Sequence, residues 1–166
     1  MALHTVRRAS FTRPANTTLY TAGDAMGAGA AGCVLQFPPV SPKEERGGKI
    51  TGGRLWKSST GTTVDEFRLL VYQATPTANP DENAAPTTAF VNIADVGKFI
   101  GQMDFEAIDY TLAAGLTYLA QDLLPSGGLP FFPQDQGNRI FGILTAIGGY
   151  DPASAEEFNI TLNIEQ

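Results

Sequence analysis

The sequence is short of the side chains that build most catalytic and metal centres. It contains one cysteine, Cys33, and one histidine, His4, among 166 residues. A single cysteine excludes an internal disulfide and is typical of synthesis in a reducing cytoplasm. Because Cys33 is followed by Val34 and Leu35, we expect a buried, structural thiol. Because the single histidine lies beside the N-terminus, we expect neither a multi-histidine metal site nor a histidine-based catalytic triad.

Positive charge and long apolar runs are also scarce. Lysine and arginine total 11 against 17 acidic residues, which gives a net charge of -6 and argues against a nucleic-acid partner. No apolar run reaches the ~20 residues of a membrane span. Residues 1–8 are not followed by the apolar segment of a secretion signal. We therefore predict no nucleic-acid partner, no membrane partner and no cofactor.

Glycine and proline are abundant, with 18 and 11 residues, which is typical of short strands joined by turns. The clearest strand is Glu157–Glu165, where apolar and polar residues alternate without a break. Phe158, Ile160, Leu162 and Ile164 share one face, which predicts a half-buried strand of an antiparallel sheet. A second apolar run, 139–147, precedes it, and we expect the two to form a closing hairpin.

Further strands are predicted upstream. The segment 49–59 is interrupted by Gly52-Gly53, which indicates a bulge or a close backbone approach. The segment 64–74 is apolar on both faces, so we place it centrally, beside the last two strands. Shorter strand candidates are 24–26, 33–37, 105–110 and 116–124. A short helix over 113–124 is the alternative to the last of these. The segment 91–100 is expected to begin as a helical turn and to end as a strand.

Two segments rich in glycine and proline, 75–88 and 125–138, are expected to be exposed loops. The pattern as a whole predicts an all-β fold, an antiparallel β-sandwich that is jelly-roll-like or another Greek key, with long Gly/Pro loops. Residues 13–166 form a single domain in this interpretation. Residues 1–12 form an N-terminal arm or an edge strand.

Few residues suggest chemistry. Asp104 and Glu106 lie two apart on a predicted strand, which permits a Ca²⁺ or paired-acid site; the alternative, which we adopt, is a solvated acidic face. The acidic, amide-rich segment 79–83 fits an exposed turn as well as a cation site. Gly27–Gly32 matches G-x-G-x-x-G, but a strand and a proline follow it instead of a helix, so we interpret it as a flexible loop. No metal site and no catalytic residue is predicted.

Four residues are candidates for contact with a partner. Arg7 and Arg8 stand out on an acidic chain and fit either solvent-exposed side chains or an anchor to an acidic surface. Phe131 and Phe132 are adjacent in a Gly/Pro loop, where both side chains cannot easily enter one core. Either they form an interface, or they fold back onto the sheet.

Three segments spread along the chain carry a resemblance to known proteins. They are residues 11–24 (FTRPANTTLYTAGD), residues 67–72 (FRLLVY) with Thr75-Pro76-Thr77, and residues 150–158 (YDPASAEEF) with the final strand. Together they resemble small virion structural proteins of tailed bacteriophages, and among these the head decoration, or cement, proteins. Residues 81–138 lie outside this resemblance.

The resemblance implies a non-enzymatic decoration protein that is trimeric in the manner of that group. It implies binding to the major capsid protein on the outer capsid surface of the virion and synthesis in the host cytoplasm. The alternative is a tail, neck or fibre component that binds a host-surface glycan, for which Tyr118, Phe131 and Phe132 would line an open groove. An enzyme, such as a glycan hydrolase that uses Asp104 and Glu106, is a third hypothesis.

Overall fold

The computed structural model describes residues 3–29, 32–40, 47–58, 65–77, 82–83, 93–106, 111–113, 117–124, 127–134 and 137–166. Within them, eleven strands and one short helical turn follow one another along the chain. They are β1 (His4–Thr12), β2 (Ala25–Met26), β3 (Val34–Gln36), β4 (Gly48–Ser58), β5 (Phe67–Tyr72), α1 (Ile93–Val96), β6 (Phe99–Phe105), β7 (Thr111–Ala113), β8 (Thr117–Leu123), β9 (Leu129–Phe131), β10 (Phe141–Ala146) and β11 (Glu157–Glu165).

The strands form two antiparallel sheets that pack against each other, which confirms the predicted β-sandwich. The first sheet has the order β1-β11-β4-β8-β7, with β9 also paired to β4. The second has the order β2-β10-β5-β6, with β3 also paired to β10. Of the two alternatives for the N-terminal residues, 4–12 form a strand at the edge of the first sheet.

The core lies between the sheets and follows the predicted alternation. Phe158, Ile160, Leu162 and Ile164 of β11 all point into it. The ring of Phe158 stacks on Phe11 at 5.1 Å between centroids and meets Phe67 of the second sheet edge-on at 5.6 Å. These contacts join the two sheets.

The predicted hairpin between the last two strands is wrong. β10 pairs with β2, β3 and β5 in the second sheet, whereas β11 pairs with β1 and β4 in the first. The connection crosses from one sheet to the other. Both strands are strongly apolar, but alternation within a strand carries no information about its neighbours. For the same reason β5 lies beside β10, as predicted, but not beside β11.

The interruption at Gly52-Gly53 is confirmed. Thr51 is the extra residue of a bulge, because Ile50 pairs with Ile164 and Gly52 with Asn163. A Cβ atom on Gly53 would lie 2.6 Å from the Met103 side chain and 2.8 Å from the Thr161 carbonyl oxygen. A larger residue there would push the two sheets apart.

One open alternative is decided, and one further prediction needs correction. Residues 117–123 form strand β8, which decides against the alternative helix. The second Gly/Pro loop contains β9, which continues along β4 where β8 leaves off. Gly128 makes this interruption possible, because its φ of +55° lies in the left-handed region and its Cα faces the Ile50 carbonyl oxygen.

Candidate binding face on the first sheet

The outer face of the first sheet carries an aromatic and basic surface built from three neighbouring strands. Strand alternation points Arg8 of β1, Thr161 of β11 and Arg54 of β4 to the same side, and the pairing register aligns all three in one row. Directly opposed Cβ atoms in such a pair lie roughly 4.5–5.5 Å apart, so the two arginine Cβ atoms are about 10 Å apart. The next row places Trp56 opposite Asn159.

These side chains enclose a shallow, open groove of about 390 Å³, which we call the Trp56 groove. It is lined by Val6, Arg8, Arg54, Trp56, Asn159, Thr161 and Asn163. Trp56 is the only tryptophan of the chain, and it is half-buried on this face. The floor is a hydrogen-bonded sheet, so the groove needs no loop to hold its shape.

A hydrogen-bond chain fixes the position of Arg8. Both its Nε and Nη2 donate to the side-chain oxygen of Asn159, with Nε at 2.8 Å. Asn159 in turn donates from its Nδ2 to the Glu157 carboxylate at 2.9 Å. Asn159 is only 4% exposed, although it lies on the polar face of β11. The guanidinium group is therefore held along the sheet, beside the groove.

The groove combines chemistry that suits an acidic partner. A guanidinium group binds carboxylates through two parallel hydrogen bonds, and the face of an indole ring packs on flat or apolar groups. Tryptophan and arginine are also the side chains that most often dominate binding energy at protein interfaces. Two arginines on one face of a chain with a net charge of -6 form a local surface of opposite sign.

The structure separates the two predicted arginines. Arg8 lies at the groove, whereas Arg7 points to the other side of β1 and is half-buried. Its Nε donates to the Pro39 carbonyl oxygen at 2.7 Å and its Nη2 to that of Val40 at 3.4 Å. Arg7 therefore ties the edge of the first sheet to the segment after β3. Its partners are within the chain, so we assign it a structural role in place of the predicted partner contact.

The two predicted phenylalanines also divide. Phe131 is 1% exposed in the core, because β9 pairs with β4 and turns its ring inward. The prediction that it contacts a partner is therefore wrong. Phe132 follows on the opposite face and is 70% exposed, with its backbone nitrogen donating to Gln73 at 3.0 Å. It stays a candidate contact. Tyr118 belongs to β8, and its side chain lies outside the described residues.

The acidic candidates are not arranged for catalysis. Asp104 forms a bidentate ion pair with Arg68 at 2.7 and 2.6 Å, across the β5–β6 pair, while Glu106 is exposed after the end of β6. Gly27–Gly29 begin a loop between β2 and β3, and Gly32 ends it; residues 30–31 lie outside the described residues. Of the segment 79–83, only Glu82 and Asn83 are described. His4 is exposed at the start of β1.

Sequence reasoning missed a buried polar cluster near the end of the core, formed by Arg13, Tyr20, Lys57, Tyr150 and Glu156. The Tyr150 hydroxyl donates to the Glu156 carboxylate. The Lys57 ammonium group lies 3.9 Å from that carboxylate, 2.6 Å from Asp65 and 4.8 Å from the centre of the Tyr150 ring. Arg13 donates to the Tyr20 hydroxyl at 2.6 Å and pairs with Glu82 at 3.3 Å.

Burial dominates the electrostatics of this cluster. It raises the pKa of the Glu156 carboxyl above its ordinary value, against the opposing effects of the Tyr150 hydrogen bond and the Lys57 charge. Burial, and then the nearby Glu156 carboxylate, raise the pKa of Tyr150. Such shifts often mark active sites. Here the Glu156 side chain is fully buried, which leaves no path for a substrate, so the cluster fastens the β1–β2 and β10–β11 connections to the core.

The described residues add two observations. No group of three or more histidine, cysteine, aspartate or glutamate side chains among them is placed to hold a metal ion. Within the same residues, no helix has the length and apolar character needed to cross a membrane.

Neither the models of known protein families nor the curated proteins contain a match to this chain.

Proposed function

We propose that this chain is a structural protein of a bacteriophage virion, a capsid decoration protein that binds the major capsid protein lattice on the outer surface of the head. The observation that carries the proposal is the Trp56 groove. This open surface has Arg8 and Arg54 at the two ends of one cross-strand row, and Trp56, the only tryptophan of the chain, lies in the next row. The resemblance of three segments to tailed-phage structural proteins supplies the biological setting.

The groove suits attachment to a repeating surface better than it suits turnover. It is shallow and lies on a rigid sheet, so binding requires little ordering of the protein. Its two arginines give the groove a positive charge, which attracts carboxylates on a partner. Each exposed pair contributes only ~0.2–1 kcal/mol, but many copies on one lattice raise the effective concentration of every contact. We extend the proposal to a homo-oligomer, a trimer by analogy with decoration proteins, and to a non-enzymatic role.

The test is co-sedimentation with heads of the encoding phage that were assembled without this protein. We expect Trp56→Ala and Arg54→Ala to reduce occupancy, and added salt to weaken binding of the parent as screening grows. Leu19→Ala serves as the control, since it removes an exposed apolar side chain that does not line the groove. Equal occupancy of all four proteins at every salt concentration would contradict the proposed contact surface.

A second candidate function rests on the same groove. An indole ring beside the amide of Asn163 and the hydroxyl of Thr161 offers both a stacking surface and hydrogen-bonding groups, which together suit a sugar. This favours the alternative of a tail, neck or fibre component that binds a host-surface glycan. Because Trp56 is the only tryptophan, its fluorescence reports on the groove directly. Saturable quenching by a host oligosaccharide, lost in Asn163→Ala, would support this alternative over capsid binding.

A further inference from the structure

We propose that Lys57 and Asp65 become joined by an isopeptide bond between their side chains, which the folded chain forms by itself with Glu156 as the general acid–base group. The bond would link β4 of the first sheet to the residues just before β5 of the second. The proposal concerns self-modification of the chain, and it depends on neither a virion role nor the Trp56 groove.

The fold brings an amine and a carboxyl group into contact between the two sheets. Lys57 lies near the end of β4 and points inward, so that its side chain is only 1% exposed. Asp65 lies two residues before β5, and its side chain is 12% exposed. The Lys57 Nζ donates to Oδ2 of Asp65 at 2.6 Å. The amine nitrogen therefore lies next to the carboxyl group that it would attack.

Aromatic rings surround the amine. The Lys57 Nζ lies 5.5 Å from the centre of the Phe67 ring and 4.8 Å from the centre of the Tyr150 ring, and these rings meet edge-on at 5.1 Å. The ring faces attract an ammonium group, which holds Nζ in place. Because the side chains of Lys57 and Glu156 are almost completely buried, an amide formed here would be shielded from hydrolysis.

Glu156 is placed to move the proton that the reaction must transfer. Its Oε1 lies 3.9 Å from the Lys57 Nζ and, among the residues that the structure describes, this buried oxygen has no hydrogen-bond partner. The other carboxyl oxygen accepts a hydrogen bond from the Tyr150 hydroxyl, which fixes the orientation of the group. Burial raises the pKa of the Glu156 carboxyl, so it retains a proton to higher pH than an exposed glutamate does.

The reaction is a condensation that balances without a co-reactant. The ammonium proton of Lys57 passes to the Asp65 carboxylate along their hydrogen bond, which leaves a neutral amine and a carboxylic acid. The nitrogen lone pair forms the bond to Cγ, and the bond from Cγ to the hydroxyl oxygen breaks. Glu156 carries the second amine proton to the departing hydroxyl, which leaves as water. Nothing is oxidised or reduced.

Proximity and burial favour the product. Condensation of a separate amine and acid is unfavourable in water, but two groups held in contact reach effective molarities of ~10⁵–10⁸ M. The desolvation of a buried ion pair is costly, and the product is a neutral amide, so the reaction removes both charges of the Lys57–Asp65 pair from the protein interior.

The test is peptide mass spectrometry of the folded, full-length chain after denaturation and digestion with trypsin. An amide at Nζ prevents cleavage after Lys57, so we expect residues 55–68 as one peptide that has lost one water. An unmodified chain gives residues 55–57 and 58–68 instead, and this result would overturn the proposal. A succinimide at Asp65 also loses water, but it leaves Lys57 cleavable and would equally overturn the proposal.

Variants test the role of each group. Asp65→Ala should give no bond. Glu156→Gln retains an acceptor for Tyr150 and should slow bond formation about 10²–10⁴-fold, followed over time after cell-free synthesis. Glu66→Gln is the matched control, because Glu66 is exposed next to Asp65, and it should react as the parent does.

The parent peptide decides whether the bond exists even where a variant does not fold. A bond from Lys57 to Glu156 would join residues 55–68 to residues 140–166 and would contradict the assignment of Asp65. Bond formation at the parent rate in Glu156→Gln would contradict the role of Glu156. Failure of the chain to bind phage heads would not change any of these masses.

Discussion

Arg8 reaches diagonally across the β1–β11 pair and donates two hydrogen bonds to the side-chain oxygen of Asn159. This contact joins the edge strand to its neighbour β11 and places a cationic group on the same face as Trp56. The buried amide of Asn159 therefore supports the candidate binding face. We expect its loss to weaken binding more than it lowers the free energy of unfolding.

Replacement of Asn159 tests this support. We expect Asn159→Ala to lower the free energy of unfolding by about 1 kcal/mol, because it removes hydrogen bonds to Arg8 and Glu157. We expect a severalfold weaker interaction with heads, since Arg8 is then free to rotate. Ser10→Ala is the control, because it removes a polar group from the same face of the sheet, directly opposite Asn159 and outside the groove. Chemical denaturation and co-sedimentation measure the two effects, and identical behaviour of both variants would contradict the account.

The adjacent residues Phe131 and Phe132 give a test of the fold. Phe131→Ala should destabilise the protein by about 3–5 kcal/mol, because its ring is buried in the core. Phe132→Ala should change the free energy of unfolding by less than about 0.5 kcal/mol, since its ring is mostly exposed. Denaturant titration of the two variants provides the comparison. Equal destabilisation would mean that β9 does not pair with β4 as described.

The buried carboxyl of Glu156 predicts a pH dependence. Its pKa is higher in the folded protein than the ordinary 4.5, because burial penalises the carboxylate. The folded state therefore binds this proton more tightly than the unfolded state does. The protonated carboxyl contributes its full stabilisation below the unfolded pKa, and this stabilisation is lost as pH rises through the folded pKa. Glu156→Gln retains an acceptor for the Tyr150 hydroxyl but cannot ionise, so the variant does not lose this stabilisation as pH rises.

We therefore expect the stability of Glu156→Gln, relative to the parent, to increase as pH rises from about 4.5 to 7. Urea denaturation at several pH values measures this difference. Glu106→Gln, at an exposed position, is the control and should show no such trend. A difference that stays constant or decreases with pH would show that Glu156 is ionised without cost in the folded protein.

The account also predicts that the purified protein hydrolyses no glycan, peptide or nucleotide. Asp104 is held by Arg68 in a bidentate ion pair, which leaves it poorly placed to act as a nucleophile or base. Assays with representative substrates test this expectation. Turnover that disappears in Asp104→Asn but persists in Asp151→Asn, at an exposed position, would contradict the structural role and restore the enzyme hypothesis.

The strands themselves are readable in the sequence, because alternation and turn residues are local signals. The nine residues of β11 and the interruption at Gly52-Gly53 illustrate this. The partners of each strand are set by contacts between distant residues, so the hairpin between β10 and β11 was predicted wrongly. Phe131 was misplaced for the same reason: its pairing partner on β4 is more than 80 positions away, and the local Gly/Pro content indicated a loop.

The Trp56 groove was missed because its residues come from three strands. The spacing of Arg54 and Trp56, two apart, indicates a shared face, and so does the polar series Asn159, Thr161 and Asn163. Only the pairing of β4 with β11 and of β11 with β1 brings the two series and Arg8 together. Of the residues predicted from the sequence, Arg8 alone lies in the groove, while Phe132 remains an exposed candidate outside it.

The most direct test of the proposed role is an electron cryomicroscopy map, at side-chain resolution, of the virion that is proposed to carry this chain. The account predicts one β-sandwich per lattice position on the outer surface of the head, with the Trp56 groove against an acidic surface of the major capsid protein. Density for this chain in the tail, neck or fibres, or a head-bound position with the Trp56 groove facing solvent, would contradict it.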